Sequence, residues 1–218
     1  MRHIKRLLLA AALMLTATWH LNAETNPKPF VIPELKEWKG AEGTFTPTSE
    51  TRIVYPKGDA TLERIANQLA GDYKEMFGKS LTTAAGKAKA GDIGLVLKKD
   101  KSLGSEGYTI KVSDRVAVTA PTPTGVYWAT RSLLQMSEQS EQHQLPCGTV
   151  RDWPDYGLRG FMIDCGRKFF PIEYLRDYVK IMAYYKMNCF QIHLNDNGFK
   201  QYFDQDWNKT YAAFRLEC

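Results

Sequence analysis

Two short, nearly continuous apolar runs with one helical pattern between them constrain this chain more than any other feature. Gly160-Phe161-Met162-Ile163-Asp164-Cys165 and Cys189-Phe190-Gln191-Ile192-His193-Leu194 each have the length and content of a buried strand. Between them, Pro171 sits where a helix should begin, and Ile172, Leu175, Val179, Met182 and Ala183 mark one helical face through to Lys186. Strand, helix, strand with near-continuous apolar strands means a parallel βαβ unit, because a strand with one wet face would alternate instead. In such units the polar groups just beyond the strand C-termini are the functional ones. Two clusters lie there: Asp164-Cys165-Gly166-Arg167-Lys168, and His193-Leu194-Asn195-Asp196 with Asn197 and Gly198 behind it. Parallel pairing puts both on one rim.

The residue types on that rim suit polar ligands. An arginine offers forked donors for sugar hydroxyls or carboxylates. A carboxylate and a histidine together can accept and relay protons. Each also has a plainer reading. Arg167 fits a solvated loop arginine paired with Asp164, His193 fits a core histidine bonded to backbone, and Asp196 fits a cap on the next segment. The residues alone leave both readings open.

The region before the βαβ unit has a different texture. Gly43 to Thr46 and Arg52 to Tyr55 read as strands, the second ended by Pro56 and Gly58. Leu62, Ile65, Ala66, Leu69, Tyr73, Met76 and Phe77 share one face of a helix over 60–77, which Gly78 stops. The Ala/Gly/Lys-rich stretch 84–91 reads as a loop and Ile93 to Leu97 as a strand. Gly107 to Ile110 and Val116 to Val118 flank Ser113-Asp114 as a hairpin. Val126, Ala129, Leu133 and Met136 stripe a second helix after Pro121 and Pro123. The sum is a small α+β domain over residues 28–147, with Arg151 to Pro154 as a linker and a second unit over 150–218.

Residues 1–23 stand apart. Arg2, Lys5 and Arg6 precede an apolar run from Leu7 to Leu15, and Leu21-Asn22-Ala23 leads into Glu24. That is the layout of a signal peptide cut after Ala23, so the expected location is outside the cytoplasm, periplasmic or secreted. The run is short of the roughly 20 apolar residues that a membrane span needs, so no span is expected once the signal is gone. Its loss lowers the formal net charge from +5 to +2. Lysines elsewhere are scattered among acids, which argues against a nucleic-acid partner. Cys147, Cys165, Cys189 and Cys218 match no metal-knuckle spacing, and no metal or cofactor is expected. Cys165 and Cys189 lie in apolar runs and are expected to be buried thiols.

Four linked motifs carry a resemblance. Arg159-Gly160-Phe161-Met162-Ile163-Asp164, Arg167-Lys168-Phe169-Phe170-Pro171, Tyr185-Lys186-Met187-Asn188 and His193-Leu194-Asn195-Asp196 resemble the opening of family 20 β-N-acetylhexosaminidase barrels. Gly107-Tyr108-Thr109-Ile110 and Gly125-Val126-Tyr127-Trp128 through Leu133-Leu134-Gln135 resemble the accessory domain before them. The resemblance implies an α+β accessory domain followed by the start of a (β/α)8 TIM barrel, truncated after about two strands. It implies hydrolysis of terminal N-acetylhexosamine from β-N-acetylhexosaminides, with glycans containing N-acetylglucosamine or N-acetylgalactosamine as partners. By the same resemblance, Arg167 holds sugar hydroxyls, Asp196 orients the acid through a later histidine, His193 supports the site, and Asp164 braces the rim. Lys168 and Asn197 stand where the family pattern has histidine and a second aspartate. The family's catalytic Asp-Glu pair sits in a Gly-Asp-Glu motif that this sequence does not contain. The chain by itself is therefore expected to be inactive and part of a longer enzyme. Three rival readings are another barrel glycosidase with a similar front domain, a non-catalytic carbohydrate binder on the same scaffold, and an exported α/β domain of unrelated role.

Overall fold

Seven strands make one mixed sheet: β1 (Glu37–Phe45), β2 (Arg52–Tyr55), β3 (Thr82–Ala85), β4 (Ile93–Leu97), β5 (Tyr108–Val112), β6 (Val116–Ala120) and β7 (Leu145–Asp152). Their spatial order is β1-β7-β5-β6-β4-β2-β3. The half from β3 to β6 is parallel, and the half from β6 to β1 is antiparallel. This computed structural model describes residues 25–166, 168–194 and 204–206. The expected signal peptide lies outside them, as do Arg167, Asn195, Asp196, Asn197 and Cys218.

Two helices, α1 (Ala60–Phe77) and α2 (Pro123–Glu138), pack side by side on one face of the sheet. Asp59 caps the first, its carboxylate accepting from the Thr61 and Leu62 N–H groups, and Gly78 closes it in the left-handed conformation at φ 67°. Thr122 caps the second, with Pro123 in the first turn. The expected apolar stripes of both helices enter one core with Ile53, Leu95, Ile110 and Val118 of the sheet, although Met76 stays partly exposed.

The second helix is buried on nearly every side, well beyond its expected stripe. Its far face is covered by the N-terminal segment and by the next helix. Gln135 donates to the carbonyls of Ile32 and Tyr184 at 2.9 and 2.8 Å, and its own carbonyl oxygen accepts from the Ile32 N–H. Arg131 is buried against Asp72 and over the Tyr127 ring. Buried polar side chains need partners, and Arg131 finds Asp72 of α1, Ser132 finds Tyr108 of β5, and Gln135 finds the covering layer.

Four expectations differ from the structure. The apolar runs from Gly160 and from Cys189, expected to be buried strands, are largely exposed, with Met162 51% and Ile192 39% exposed. The linker expected at Arg151 is strand: β7 continues to Asp152, past the domain limit expected at 147, because Arg151 and Asp152 pair with Thr109 and Tyr108 of β5. Ala84 and Ala85, expected in a loop, close β3 against Val54 and Tyr55. Cys189, expected to be buried, is exposed. It sits opposite Gly160, where no side chain covers it.

The second unit consists of β8 (Gly160–Asp164), α3 (Ile172–Tyr184) and β9 (Cys189–His193). The two strands pair in parallel, Gly160 against Cys189 through to Asp164 against His193. The helix lies on one face of this sheet, with the Tyr178 ring 5.0 Å from Phe161 and 5.9 Å from Phe190. A strand, a crossover helix and a parallel neighbour is the βαβ arrangement that the apolar runs require.

Candidate active site

Side chains alternate along a strand, so the positions facing α3 fix the positions facing away. Phe161 and Phe190 face the helix. Three residues further on, Asp164 and His193 face the opposite way, at the C-terminal ends of β8 and β9. Their pairing in register sets them side by side: His193 Nδ1 is 3.4 Å from Asp164 Oδ1.

Local bonding fixes the aspartate. Asp164 Oδ1 accepts from the Gly166 N–H at 2.9 Å, and the Cys165 N–H donates to the His193 carbonyl at 2.9 Å. The Asp164 side chain is 22% exposed and that of His193 is 40% exposed. His193 is thus open on the face that its ring occupies. Both groups can meet a ligand from solvent and exchange protons with it. Lys168 and Phe169 follow on the exposed side of the rim, and Phe170 stacks on Tyr174 at 5.3 Å. Arg167 and Asp196, the other two residues expected on this rim, lie outside the described residues. Among the described residues, no group of histidine, cysteine, aspartate or glutamate could hold a metal ion. No described helix is long and apolar enough to cross a membrane.

A second polar cluster sits at the other end of the same strands. Lys186 follows α3 with φ 58° and is 6% exposed. Its ammonium donates to Tyr108 Oη at 2.8 Å and to Asp152 Oδ2 at 3.1 Å. Tyr108 also donates to Asp152 and lies 2.6 Å from Ser132 Oγ. Burial lowers the Lys186 pKa, against an opposing pull from Asp152, and burial pushes that of Tyr108 well up. Beside it, Arg159 pairs with Glu106, which also accepts from the Trp128 indole N–H at 2.7 Å. Sequence reasoning placed Lys186 and Tyr108 in motifs without a role. A lysine closing an otherwise apolar helical face is the one signal that pointed to burial.

Known proteins resemble this chain along most of its length. Residues 28–153 match the model of glycosyl hydrolase family 20, domain 2, and residues 156–206 match that family's catalytic domain. A lacto-N-biosidase of Bifidobacterium bifidum is 30% identical over 164 residues, which is 74% of this chain and 14% of that protein. A β-N-acetylhexosaminidase of Cellulomonas fimi is 34% identical over 116 residues, 52% of this chain and 22% of its own length. The solved N-acetyl-β-hexosaminidase of Streptomyces plicatus in complex with thio-NAglucal superposes with a TM-score of 0.72 at 25% identity. That match covers 80% of this chain and 36% of the other. The chain thus spans less than a quarter of the length of these two curated relatives. With an accessory domain, the first strands of a catalytic domain and family-model matches in that order, the chain belongs to glycosyl hydrolase family 20.

Proposed function

We infer that the rim beyond β8 and β9 is the sugar-gripping edge of a β-N-acetylhexosaminidase, an enzyme that releases terminal non-reducing N-acetylhexosamine. The observation that carries this is the side-by-side placement of Asp164 and His193 at the C-terminal ends of two parallel strands, facing away from the crossover helix. Active sites of (β/α)8 barrels sit at that end. Met162 and Gln191 lie exposed on the same face, which is consistent with closure of further strands around it. On this reading Arg167 binds sugar hydroxyls, Asp196 orients the acid through a partner histidine, and His193 and Asp164 brace the rim.

The chemistry then follows the substrate-assisted route. A glutamic acid outside this sequence protonates the leaving oxygen. The neighbouring aspartate steadies the substrate's acetamido group, whose oxygen attacks the anomeric carbon as the glycosidic bond breaks. Water then opens that intermediate and returns a proton to the glutamate, with retained configuration. The leader reading places the enzyme outside the cytoplasm, and its substrates are then glycans carrying N-acetylglucosamine or N-acetylgalactosamine.

The test compares two proteins on nitrophenyl N-acetyl-β-glucosaminide. A longer form that includes a Gly-Asp-Glu strand should release nitrophenol, and residues 24–218 alone should not. Clear release by the shorter protein, free of host enzyme, would remove the missing acid from the account. A longer form that binds the sugar without cleaving it would favour a binder instead.

A further inference from the structure

β8 and β9 start from one knot of hydrogen bonds. The Arg159 N–H donates to Asn188 Oδ1 and the Asn188 N–H to the Arg159 carbonyl, both at 2.9 Å. Asn188 Nδ2 reaches back to the Gly157 carbonyl at 2.8 Å, and Arg159 Nε donates to the Lys186 carbonyl at 2.7 Å. Neither strand packs extensively on the seven-stranded sheet or its helices. The knot meets the small domain through Lys186 to Tyr108 and Asp152 and through Arg159 to Glu106 and over the Trp128 ring, while Gln135 holds the Tyr184 carbonyl just ahead of the turn.

We propose that Lys186 is a positioning residue, pinning the turn that launches β9 to Tyr108 and Asp152 and so setting the offset that brings His193 opposite Asp164. Lys186 holds a left-handed backbone, a conformation disfavoured in a non-glycine residue unless its surroundings impose it. Its buried ammonium has two small-domain oxygens to bond, and moving the turn would break both contacts. Five paired residues separate the start of the strands from the rim. A slip of one residue at the start would carry through unchanged and turn His193 to the helix side. The small domain is then part of the site's construction, although none of the residues that fix this offset reaches the rim.

This inference rests on the rim being the site, but its test uses no substrate. The whole chain is labelled with nitrogen-15 histidine and the imidazole signals of His143 and His193 are followed. His143 belongs to the small domain, stacked on Phe77, and serves as the internal control. In Lys186→Met, the His193 signals should move to those of a histidine without a carboxylate neighbour while His143 stays. Unchanged His193 signals in the folded variant would overturn the proposal. If both histidines move, the variant has unfolded and Tyr108→Phe decides, since it removes one oxygen and leaves the ion pair. A selective His193 shift there supports the proposal. No shift, or loss of the His143 signal too, overturns it, because the hydroxyl then serves only the small domain's own core. A selective His193 response in an enzyme that proves inactive would fault the glycosidase reading alone.

Discussion

Asp152→Ala should lower the unfolding free energy by roughly 3–5 kcal/mol, the usual cost of stranding one partner of a buried ion pair. The aspartate is buried and accepts from Tyr108, from the Lys186 ammonium and from the Lys36 N–H at 3.1 Å. Alanine leaves the ammonium almost fully enclosed with only the Tyr108 oxygen to meet it, and leaves the Lys36 N–H without its acceptor. The pair Asp152→Leu with Lys186→Met should recover most of the loss, because replacing both charges by apolar groups is often close to neutral. Tyr108 keeps Ser132 as partner in that double variant. Urea unfolding of the three proteins measures this. A single variant within about 1 kcal/mol of the parent would mean that water or a rotated lysine relieves the charge.

Gly125→Val should cost about 3 kcal/mol or more, at the upper end of overpacking penalties. A Cβ at Gly125 would lie 2.4 Å from the Gly107 carbonyl oxygen and 2.8 Å from Ala120 Cβ. Gly107 is itself closed in, its own Cβ position lying 2.3 Å from the Leu103 carbonyl oxygen. Three backbone segments therefore meet at the start of α2, with no flexible side chain free to give way. Both glycines open motifs by which the chain resembles its family, and close approach of backbone is why neither can carry a side chain. Gly71 is the control: it lies inside α1 with nothing near its Cβ position, so Gly71→Ala should stabilise by roughly 0.5–1 kcal/mol. Thermal or urea unfolding that ranks the two variants in the opposite order would contradict this packing.

What could be read beforehand depended on how local its physics is. That the Asp164 and His193 clusters share one rim was legible, because two apolar runs joined by a helical stripe specify parallel strands from local periodicity alone; which residues face each other across those strands was not. The apolar stripes of α1 and α2 were legible for the same reason. β7 was not, since Gly148 breaks its alternation and it ends on the charged pair Arg151-Asp152, which resembles a linker. Those charges fit a strand because distant parts of the chain receive them: Glu37 pairs with Arg151, and Tyr108 and Lys186 bond Asp152. The burial of Arg131, Ser132 and Gln135 was hidden likewise, since their partners Asp72, Tyr108 and the Ile32 and Tyr184 carbonyls lie far off in the chain. Cys189 misled in the other direction. Its run is apolar, yet the face it occupies is open.

If the edge beyond β8 and β9 grips an N-acetylhexosamine, as proposed, Arg167→Lys in the catalytically complete enzyme should weaken that grip. A guanidinium fork can hold two hydroxyl oxygens at fixed geometry, whereas an ammonium offers one compact, mobile charge. Losing a charge-assisted hydrogen bond costs roughly 1.5–3 kcal/mol, so kcat/KM on nitrophenyl N-acetyl-β-glucosaminide should fall about ten- to a hundred-fold. Asp196→Asn, measured alongside, should lower kcat more than it raises KM, because it keeps shape and removes the charge that orients the acid's partner. A drop of that size in the arginine variant, with folding intact, is the predicted result. An unchanged kcat/KM for Arg167→Lys would take that arginine out of the site and contradict the account.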